Sequence, residues 1–251
     1  MRNITVVAHP DDEVIGIGGQ LPELEDVSIL YVTDGAPRDM RDATEYGFAT
    51  VEEYAAARRR EAEAALALAG IGVERLCWLG IADQEASCHM AELSRRLCEA
   101  LAAPAPAVVW THPYEGGHPD HDATAFAVQS ACALLGVAAP ERREFTSYHA
   151  RAQAIVTYEF LPHPNAPETV TPLSPDALDR KRQMVECFAT QRRTLEVFTH
   201  CAVEKSRPAP RYDFTAPPHA GMVYYDQFPW GIRSPEWRLL AGAALQELGL
   251  R

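Results

Sequence analysis

The sequence lacks long hydrophobic runs and any excess of basic residues. None of its apolar stretches approaches the ~18–20 residues that a membrane-spanning helix needs, and its first residues do not read as a secretory signal. Acidic residues outnumber Lys and Arg by 35 to 23, which gives a net charge of −12. Because nucleic acids and anionic membranes bind basic surfaces, neither is expected as the main partner. We therefore expect a cytoplasmic protein without a membrane span that acts on a small molecule.

Closely spaced cysteine pairs are also missing. The six cysteines include no Cys-x-x-Cys pair, so their spacing predicts neither a thiolate zinc site nor a redox motif. Several lie within apolar patterns, which predicts small buried residues kept reduced in a reducing compartment. A structural zinc held by these sulfurs is not expected.

Apolar runs and helical patterns alternate through the first part of the chain. The predicted strands are 3–8, 27–33, 74–79 and 106–111, and the predicted helices are 14–24, 50–69, 90–103 and 122–136. This alternation predicts an α/β fold, with a Rossmann-like, mainly parallel sheet covered by helices on both faces. Ligands of such sheets bind at the carboxyl ends of the strands, so residues that follow strands are the first candidates for a site.

The pattern changes in the last hundred residues. The predicted elements there are a strand at 154–159, a proline-rich loop at 161–175, a helix from 174 to about 199 that is broken near 191, and a final helix at 234–248. We expect a single domain over 1–251, in which 1–140 is the catalytic core and 141–251 shapes the substrate pocket. An aromatic C-terminal face also leaves a homo-oligomer open.

The first chemical motif, Ala8-His9-Pro10-Asp11-Asp12-Glu13, directly follows the first apolar run. A histidine and an aspartate three residues apart on a tight turn, His9 and Asp12, can point at one metal ion. Pro10 restricts the turn and lowers the entropy of forming it. Asp11 cannot easily bind the same ion as its neighbour Asp12, so we expect it to stand beside the bound water as general base.

The second motif, His118-Pro119-Asp120-His121, follows the fourth predicted strand. His121 completes a set of two histidines and one carboxylate, which suits a catalytic zinc with an open position for water. His118 is then free to act as the acid and to stabilise charge on a substrate oxygen. Asp120 is expected to orient an imidazole and raise its pKa.

Together the two motifs resemble those of the PIG-L/LmbE-like zinc de-N-acetylase family. Further similar segments are Thr33-Asp34-Gly35, Arg58-x-x-Glu61, Leu79-Gly80 and Asp83-Gln84, so that the resemblance covers about residues 3–136. Members of that family remove acetyl groups from N-acetylglucosamine units of glycolipids, thiol-cofactor precursors and antibiotic intermediates.

The resemblance implies a role for each motif residue. By motif position, the zinc ligands are His9, Asp12 and His121. The catalytic residues are the base Asp11, the acid His118 and Asp120, which orients His118, and Arg58 lies at the sugar side of the site. Zinc is the expected cofactor, with ferrous iron as the other metal. A sugar ring also needs an aromatic neighbour, for which the candidates are Tyr114, Tyr225, Phe228 and Trp230.

The expected reaction is the hydrolysis of an acetamide on an N-acetylglucosamine-type amino sugar or glycoconjugate. Three alternatives stay open. The same metal chemistry could act on a non-sugar amide, such as a thiol conjugate or a natural-product intermediate. A phosphoesterase would use two metals about 3.5–4 Å apart. A non-catalytic sugar- or nucleotide-binding module would leave the metal set idle.

Overall fold

The computed structural model describes residues 2–103, 105–198 and 201–250. Its strands are β1 (Asn3–Val7), β2 (Val27–Pro37), β3 (Leu76–Asp83), β4 (Val108–Thr111), β5 (Glu141–Phe145), β6 (Tyr148–Arg151), β7 (Ala154–Thr157), β8 (Thr169–Pro172) and β9 (Val203–Pro208). Its α-helices are α1 (Asp12–Ile17), α2 (Arg41–Glu45), α3 (Val51–Leu68), α4 (Met90–Ala102), α5 (Pro119–Leu135), α6 (Pro175–Glu186), α7 (Arg192–Leu195) and α8 (Ser234–Glu247).

Seven of the strands form one sheet in the order β3-β2-β1-β4-β5-β9-β8. The first five positions are parallel, and β9 and β8 extend the edge with antiparallel pairing. β6 and β7 form a separate antiparallel hairpin. The predicted α/β fold with a mainly parallel sheet is confirmed, and the sheet runs on into the C-terminal part of the chain.

The strand order reverses at β1, and this reversal determines where a ligand site can form. The chain moves from β1 outward to β2 and β3, and later crosses to the other side of β1 to form β4. Such a switch point leaves a crevice at the carboxyl ends of the two central strands. The segment after β1 carries the first motif, and the segment after β4 carries the second. The topology therefore brings two motifs more than 100 residues apart to one crevice.

The central strand packs apolar side chains on both faces, as expected of a strand in the middle of a parallel sheet. On one face Ile4 and Val6 join a core with α4, α5 and α8. On the other face Val7 joins a core with α1, α3 and α6. The crevice thus has a packed core on each side of its floor, which limits how far the motif residues can move.

The four predicted strands and four predicted helices of the first part are all present, with shifted ends. β2 continues to Pro37 and takes Thr33-Asp34-Gly35 into the sheet. The helix predicted at 14–24 is divided into the shorter α1 and a 3-10 turn at Leu21–Glu23. The helix predicted from 122 begins at Pro119, with His118 as its N-cap. That shift matters, because it puts the whole second motif in the first turn of α5.

The C-terminal part was predicted less completely. The broken helix is confirmed as α6 and α7, separated by a 3-10 turn, and the final helix as α8. The predicted end of the broken helix near 199 lies outside the described residues. The segment 161–175, predicted to be only a loop, contains edge strand β8. Strands β5 and β9 were not predicted, because β5 has the sequence Glu-Arg-Arg-Glu-Phe and its charged residues hide the strand pattern. Their charges are paired across the strands, as described below.

The cysteines are unpaired, as expected, but their predicted burial is confirmed only for Cys132. Cys98, Cys187 and Cys201 are partly exposed, and Cys77 and Cys88 are exposed. Within the described ranges, no helix is both long and apolar enough to cross a membrane.

Candidate active site

The two motifs bring a set of metal-binding side chains together. One nitrogen each of His9 and His121 and one carboxylate oxygen of Asp12 lie within 4.8 Å of one another, and all three residues are buried. Nε2 of His121 is 3.1 Å from Oδ1 of Asp12, and Nδ1 of His9 is 3.4 Å from Oδ2. Two imidazoles and one carboxylate converging in a buried crevice fit the ligand set of a catalytic zinc.

Further residues hold the two imidazoles by their other nitrogens. Nε2 of His9 lies 3.1 Å from a carboxylate oxygen of Asp83 and 3.3 Å from one of Asp120. Nδ1 of His121 lies 3.3 Å from the hydroxyl of Ser147. Carboxylates and hydroxyls in these positions fix the ring orientation and tautomer of metal-binding histidines. Each ring can thus keep one nitrogen free to bind an ion beside Asp12.

The predicted contact between Asp120 and His118 takes a different form. A carboxylate oxygen of Asp120 is 4.0 Å from Nδ1 of His118, which is beyond hydrogen-bond distance. That nitrogen instead accepts the backbone N–H of Asp120 at 3.2 Å, because His118 caps the N-terminus of α5. The carboxylate of Asp120 accepts the backbone N–H groups of Gln84 and Ala86. Asp120 therefore orients His9 and the loop after β3, and its backbone orients His118.

His118 presents its second nitrogen as a donor. Because Nδ1 accepts a backbone hydrogen bond, the proton of the neutral ring lies on Nε2. Burial, together with the neighbouring ring of His9, lowers the pKa of His118 well below its usual value. The ring lines the same cavity as His9 and Asp12.

Asp11 is held in an uncommon backbone conformation. Its φ is +131° and its ψ is −27°, a region that non-glycine residues rarely adopt and that is found chiefly at functional sites. Its N–H donates to Oε2 of Glu13 at 3.2 Å, and the other oxygen of Glu13 accepts the hydroxyl of Tyr31 at 2.7 Å. Burial raises the pKa of the Asp11 carboxyl to about 7, although the nearby Arg58 opposes this.

Arg58 lies in the cavity wall, where it binds the predicted base. It is buried, its Nη2 donates to Oδ2 of Asp11 at 3.1 Å, and its Nε donates to the carbonyl of Gly35. Gly35 has a φ of +64°, and a Cβ there would lie 2.9 Å from Nε of Arg58. A larger residue would therefore push the guanidinium away from Asp11. Nη1 is buried and has no partner among the described residues, so a substrate contact for Arg58 stays a prediction.

Tyr114, predicted to bind substrate, lies in the protein core. It is 3% exposed, and its hydroxyl donates to the carbonyl of Ala216 at 2.9 Å. Its ring stacks on Trp237 at 5.4 Å and contacts Phe214. The prediction is wrong, because α8 packs over this residue and closes it off from the crevice. Tyr225 is likewise buried.

The cavity itself has a volume of about 130 Å³. Its lining includes the polar residues Asp42, Arg58 and Gln84 and the aromatic residues Phe198 and Trp230. Trp230 lies 4.7 Å from the ring of His118. The ring of Phe228 stacks on that of Trp230, with 4.6 Å between the ring centroids, so these two predicted aromatic residues form a stack beside the site.

Several residues in or around the site were not predicted. His112 stacks on His121 at 4.1 Å, and its Nε2 accepts the N–H of Ala8 at 3.1 Å. Its position at the end of β4 was the sequence feature that could have indicated it as a site residue. Asp83 stands in a family segment, but its contact with His9 was not foreseen. Ser147 and Tyr148 follow the unpredicted strand β5, so no pattern pointed to them.

Comparison with known proteins decides the family. The sequence model of the family described as PIG-L: GlcNAc-PI de-N-acetylase matches residues 4–132. The chain belongs to this family. The match spans both motifs and ends inside α5, so it leaves the C-terminal part uncovered. No curated protein matches the chain in a direct sequence comparison.

Solved structures share the fold of this PIG-L family member across its C-terminal part as well. The zinc-inhibited form of teicoplanin deacetylase Orf2 has a TM-score of 0.65 at 18% identity, over 85% of this chain and 99% of that one. N,N'-diacetylchitobiose deacetylase from Pyrococcus horikoshii has a TM-score of 0.56 at 23% identity, over 76% and 70%. GalB, a 4-carboxy-2-hydroxymuconate hydratase, has a TM-score of 0.52 at 19% identity, over 85% and 98%. At these identities, the likeness establishes the fold alone.

Proposed function

We propose that this protein is a metal-dependent de-N-acetylase that hydrolyses the acetamide of an N-acetylglucosamine-type amino sugar or glycoconjugate. The observation that carries the proposal is the placement of His9, Asp12 and His121 around one point, with Asp11 and His118 in the same small cavity. Membership of a de-N-acetylase family supports this reaction class, as does the fold shared with two deacetylases. The net charge of −12 supports a neutral substrate over a nucleic acid.

Each proposed role follows from a contact already described. His9, Asp12 and His121 would hold the zinc or ferrous ion. When bound, such an ion lowers the pKa of a water molecule toward 7 and polarises the amide carbonyl. Asp11 takes the proton of the attacking water, and Arg58 keeps its carboxylate in place. Nε2–H of His118 faces the developing charge on the substrate oxygen, where preorganised donors have their largest effect.

Proton delivery to the leaving nitrogen completes the reaction. The amine cannot leave as an anion at neutral pH, so a proton must reach the nitrogen before the C–N bond breaks. Asp11 holds the proton taken from water, and His118 lies on the same cavity surface. We assign this step to Asp11, because a neutral His118 would have to become an imidazolate anion to give up its Nε2 proton. The products are acetate and a free amino sugar.

A two-metal phosphoesterase is the less favoured reading. A second group of potential ligands, His9, Asp83, His118 and Asp120, overlaps the first through His9. Nevertheless, Nε2 of His9 faces the carboxylates of Asp83 and Asp120, which is the usual support for a histidine that binds one ion by its other nitrogen. We therefore expect one metal ion per chain. A measured ratio near two would favour the phosphoesterase.

The fold of GalB gives a second candidate function. That protein is a hydratase, so the same scaffold occurs with a reaction that cleaves no amide. In this chain, a hydratase would use the same water, base and metal on a carbon–carbon double bond. A substrate panel that includes an unsaturated hydroxy acid separates the two reactions.

The test is acetate release by protein reconstituted with zinc or ferrous iron. The panel contains N-acetylglucosamine, N,N'-diacetylchitobiose, a simple N-acetylglucosaminide and two non-sugar acetamides, with metal content measured by mass spectrometry. We expect one metal per chain, acetate release from a sugar substrate, loss with a chelator and recovery on adding the metal. Release only from the non-sugar amides would change the substrate class from an amino sugar to a non-sugar amide. A protein that binds no metal would contradict the proposal.

A further inference from the structure

The end of strand β5 brings another polar side chain into the site. β5 pairs with β4, so the residues after Phe145 emerge beside the second motif. Ser147 contacts Nδ1 of His121. Tyr148, the next residue, lines the cavity together with His9, Asp12 and His118. A fourth strand end therefore contributes to the crevice.

The ring of Tyr148 is fixed in this position by close packing. A Cβ on Gly117 would lie 2.2 Å from the carbonyl oxygen of Tyr148 and 3.1 Å from its ring, so the second motif approaches this closely only because that residue is glycine. The ring also lies 5.3 Å from that of His121 and 5.6 Å from that of Tyr224. A ring held by the metal-binding motif itself keeps a constant position relative to the ion site.

The hydroxyl of Tyr148 makes no hydrogen bond with any residue in the described part of the chain, although the side chain is half-buried. Two other tyrosine hydroxyls near the site are engaged: Tyr31 donates to Glu13, and Tyr54 accepts from Gln191. The hydroxyl of Tyr148 is not fully buried. A phenol is a hydrogen-bond donor at neutral pH. The Tyr148 hydroxyl can therefore donate to an acceptor that enters the cavity.

We propose that Tyr148 is a further catalytic residue, whose phenol donates a hydrogen bond to the carbonyl oxygen of the scissile amide as negative charge develops there. The inference rests on the proposed function, since it requires an acyl group at the metal site. It gives the oxygen two donors from opposite sides of the second motif, Tyr148 and His118. No bond to Tyr148 forms or breaks, and its proton stays on the phenol.

The first test compares Tyr148→Phe with Tyr224→Phe in the zinc-loaded enzyme. Both changes remove only a hydroxyl, and of these two neighbouring rings only that of Tyr148 is among the residues lining the cavity. We expect Tyr148→Phe to lower kcat by about 100-fold, the usual effect of removing one oxyanion donor, with KM and thermal midpoint unchanged. Tyr224→Phe should match the wild type. A Tyr148→Phe enzyme with wild-type kcat would overturn the proposal.

A binding measurement keeps the test independent of turnover. Acetohydroxamate carries a carbonyl oxygen to the metal, and its affinity for zinc-loaded protein is measured by calorimetry. Tyr148→Phe should bind it about tenfold more weakly, as expected for one lost hydrogen bond to a charged oxygen, and Tyr224→Phe should not. If the wild type binds the hydroxamate but releases no acetate from the panel, the proposed function fails and this comparison alone decides Tyr148. A wild-type protein that does neither overturns both proposals.

Discussion

Two arginines in the described part of the chain are almost fully buried, and their hydrogen bonding differs. Arg58 is 2% exposed and Arg207 is 1% exposed. Arg207 donates from all three of its nitrogens, to Glu144, Glu115, Tyr212 and the carbonyl of Leu161. Arg58 donates to Asp11 and Gly35, but its Nη1 has no partner within the described ranges.

The difference separates a structural cluster from a site. The group around Arg207 joins β5, β9 and the loop before β8, and the ring of Phe160 lies against the guanidinium at 4.1 Å. The group around Arg58 faces a cavity and holds Asp11, whose backbone is in an uncommon conformation. A buried charge by itself therefore does not identify a site. A site is indicated where a hydrogen-bond donor without a partner, an uncommon backbone conformation and a cavity occur together.

The largest effect is expected for Asp11→Asn. This change keeps the shape of the side chain but removes the base, and general base catalysis typically contributes about 10²–10⁴-fold in rate. We expect kcat to fall by at least about 100-fold, with zinc content and circular dichroism unchanged. Asp122→Asn is the matched control, since Asp122 is a buried aspartate directly after the second motif whose carboxylate accepts only backbone N–H groups. Equal losses in both variants would contradict the assignment of Asp11.

Arg207→Met should have the opposite effect to Asp11→Asn: a loss of stability with an unchanged kcat. It leaves the carboxylates of Glu144 and Glu115 buried without their partner, and breaking a buried ion pair in this way costs about 3–5 kcal/mol. We expect the free energy of unfolding, measured in urea, to fall by that amount, while the folded fraction keeps the wild-type kcat. Adding Glu144→Gln should recover part of the loss. A loss of kcat at unchanged stability would contradict the distinction between a structural Arg207 and an Arg58 in the site.

Arg58→Lys tests whether the guanidinium acts by position. Lysine keeps the positive charge but cannot contact Asp11 and Gly35 at once through a planar fork. A displaced base lowers the rate, so we expect kcat to fall by about 10- to 100-fold. Arg59→Lys is the control, because Arg59 stacks on Trp78 and has no contact with Asp11. Unchanged kcat in Arg58→Lys would show that charge alone suffices.

The smallest effect is expected for Tyr31→Phe. The change removes one of the hydrogen bonds that hold the carboxylate of Glu13, and through it the N–H of Asp11. A single buried hydrogen bond contributes about 0.5–1.5 kcal/mol to stability. We expect a loss of that size in urea unfolding, together with a decrease in kcat smaller than that of Arg58→Lys. An unchanged kcat would show that the strained turn at Asp11 is held without Glu13.

Much of the first half of the fold could be predicted from the sequence. The apolar runs of β1 and β4 and the caps and periodicity of the helices are local features, and each was found with only small shifts at the ends. Strands β5 and β9 could not be predicted in this way. Glu144 and Arg207 lie opposite each other in those strands, so their charges become acceptable in a sheet only when both strands are present.

The local sequence contains the groups that the proposed chemistry requires. Two short motifs after two strands contain the proposed ligand set, the proposed base Asp11 and the proposed donor His118, because spacing within a few residues and the end of a strand are both local properties. These residues also place the chain in its family.

The partners and surroundings of these groups depend on the folded structure, which brings distant segments of the chain together. Asp120 supports His9 rather than the side chain of His118, and Tyr114 lies in the core. Tyr148 enters the cavity from a strand with no apolar pattern. The physical reason is the same in each case: a side chain's partner depends on which distant segments pack around it, and those contacts join residues far apart in the chain.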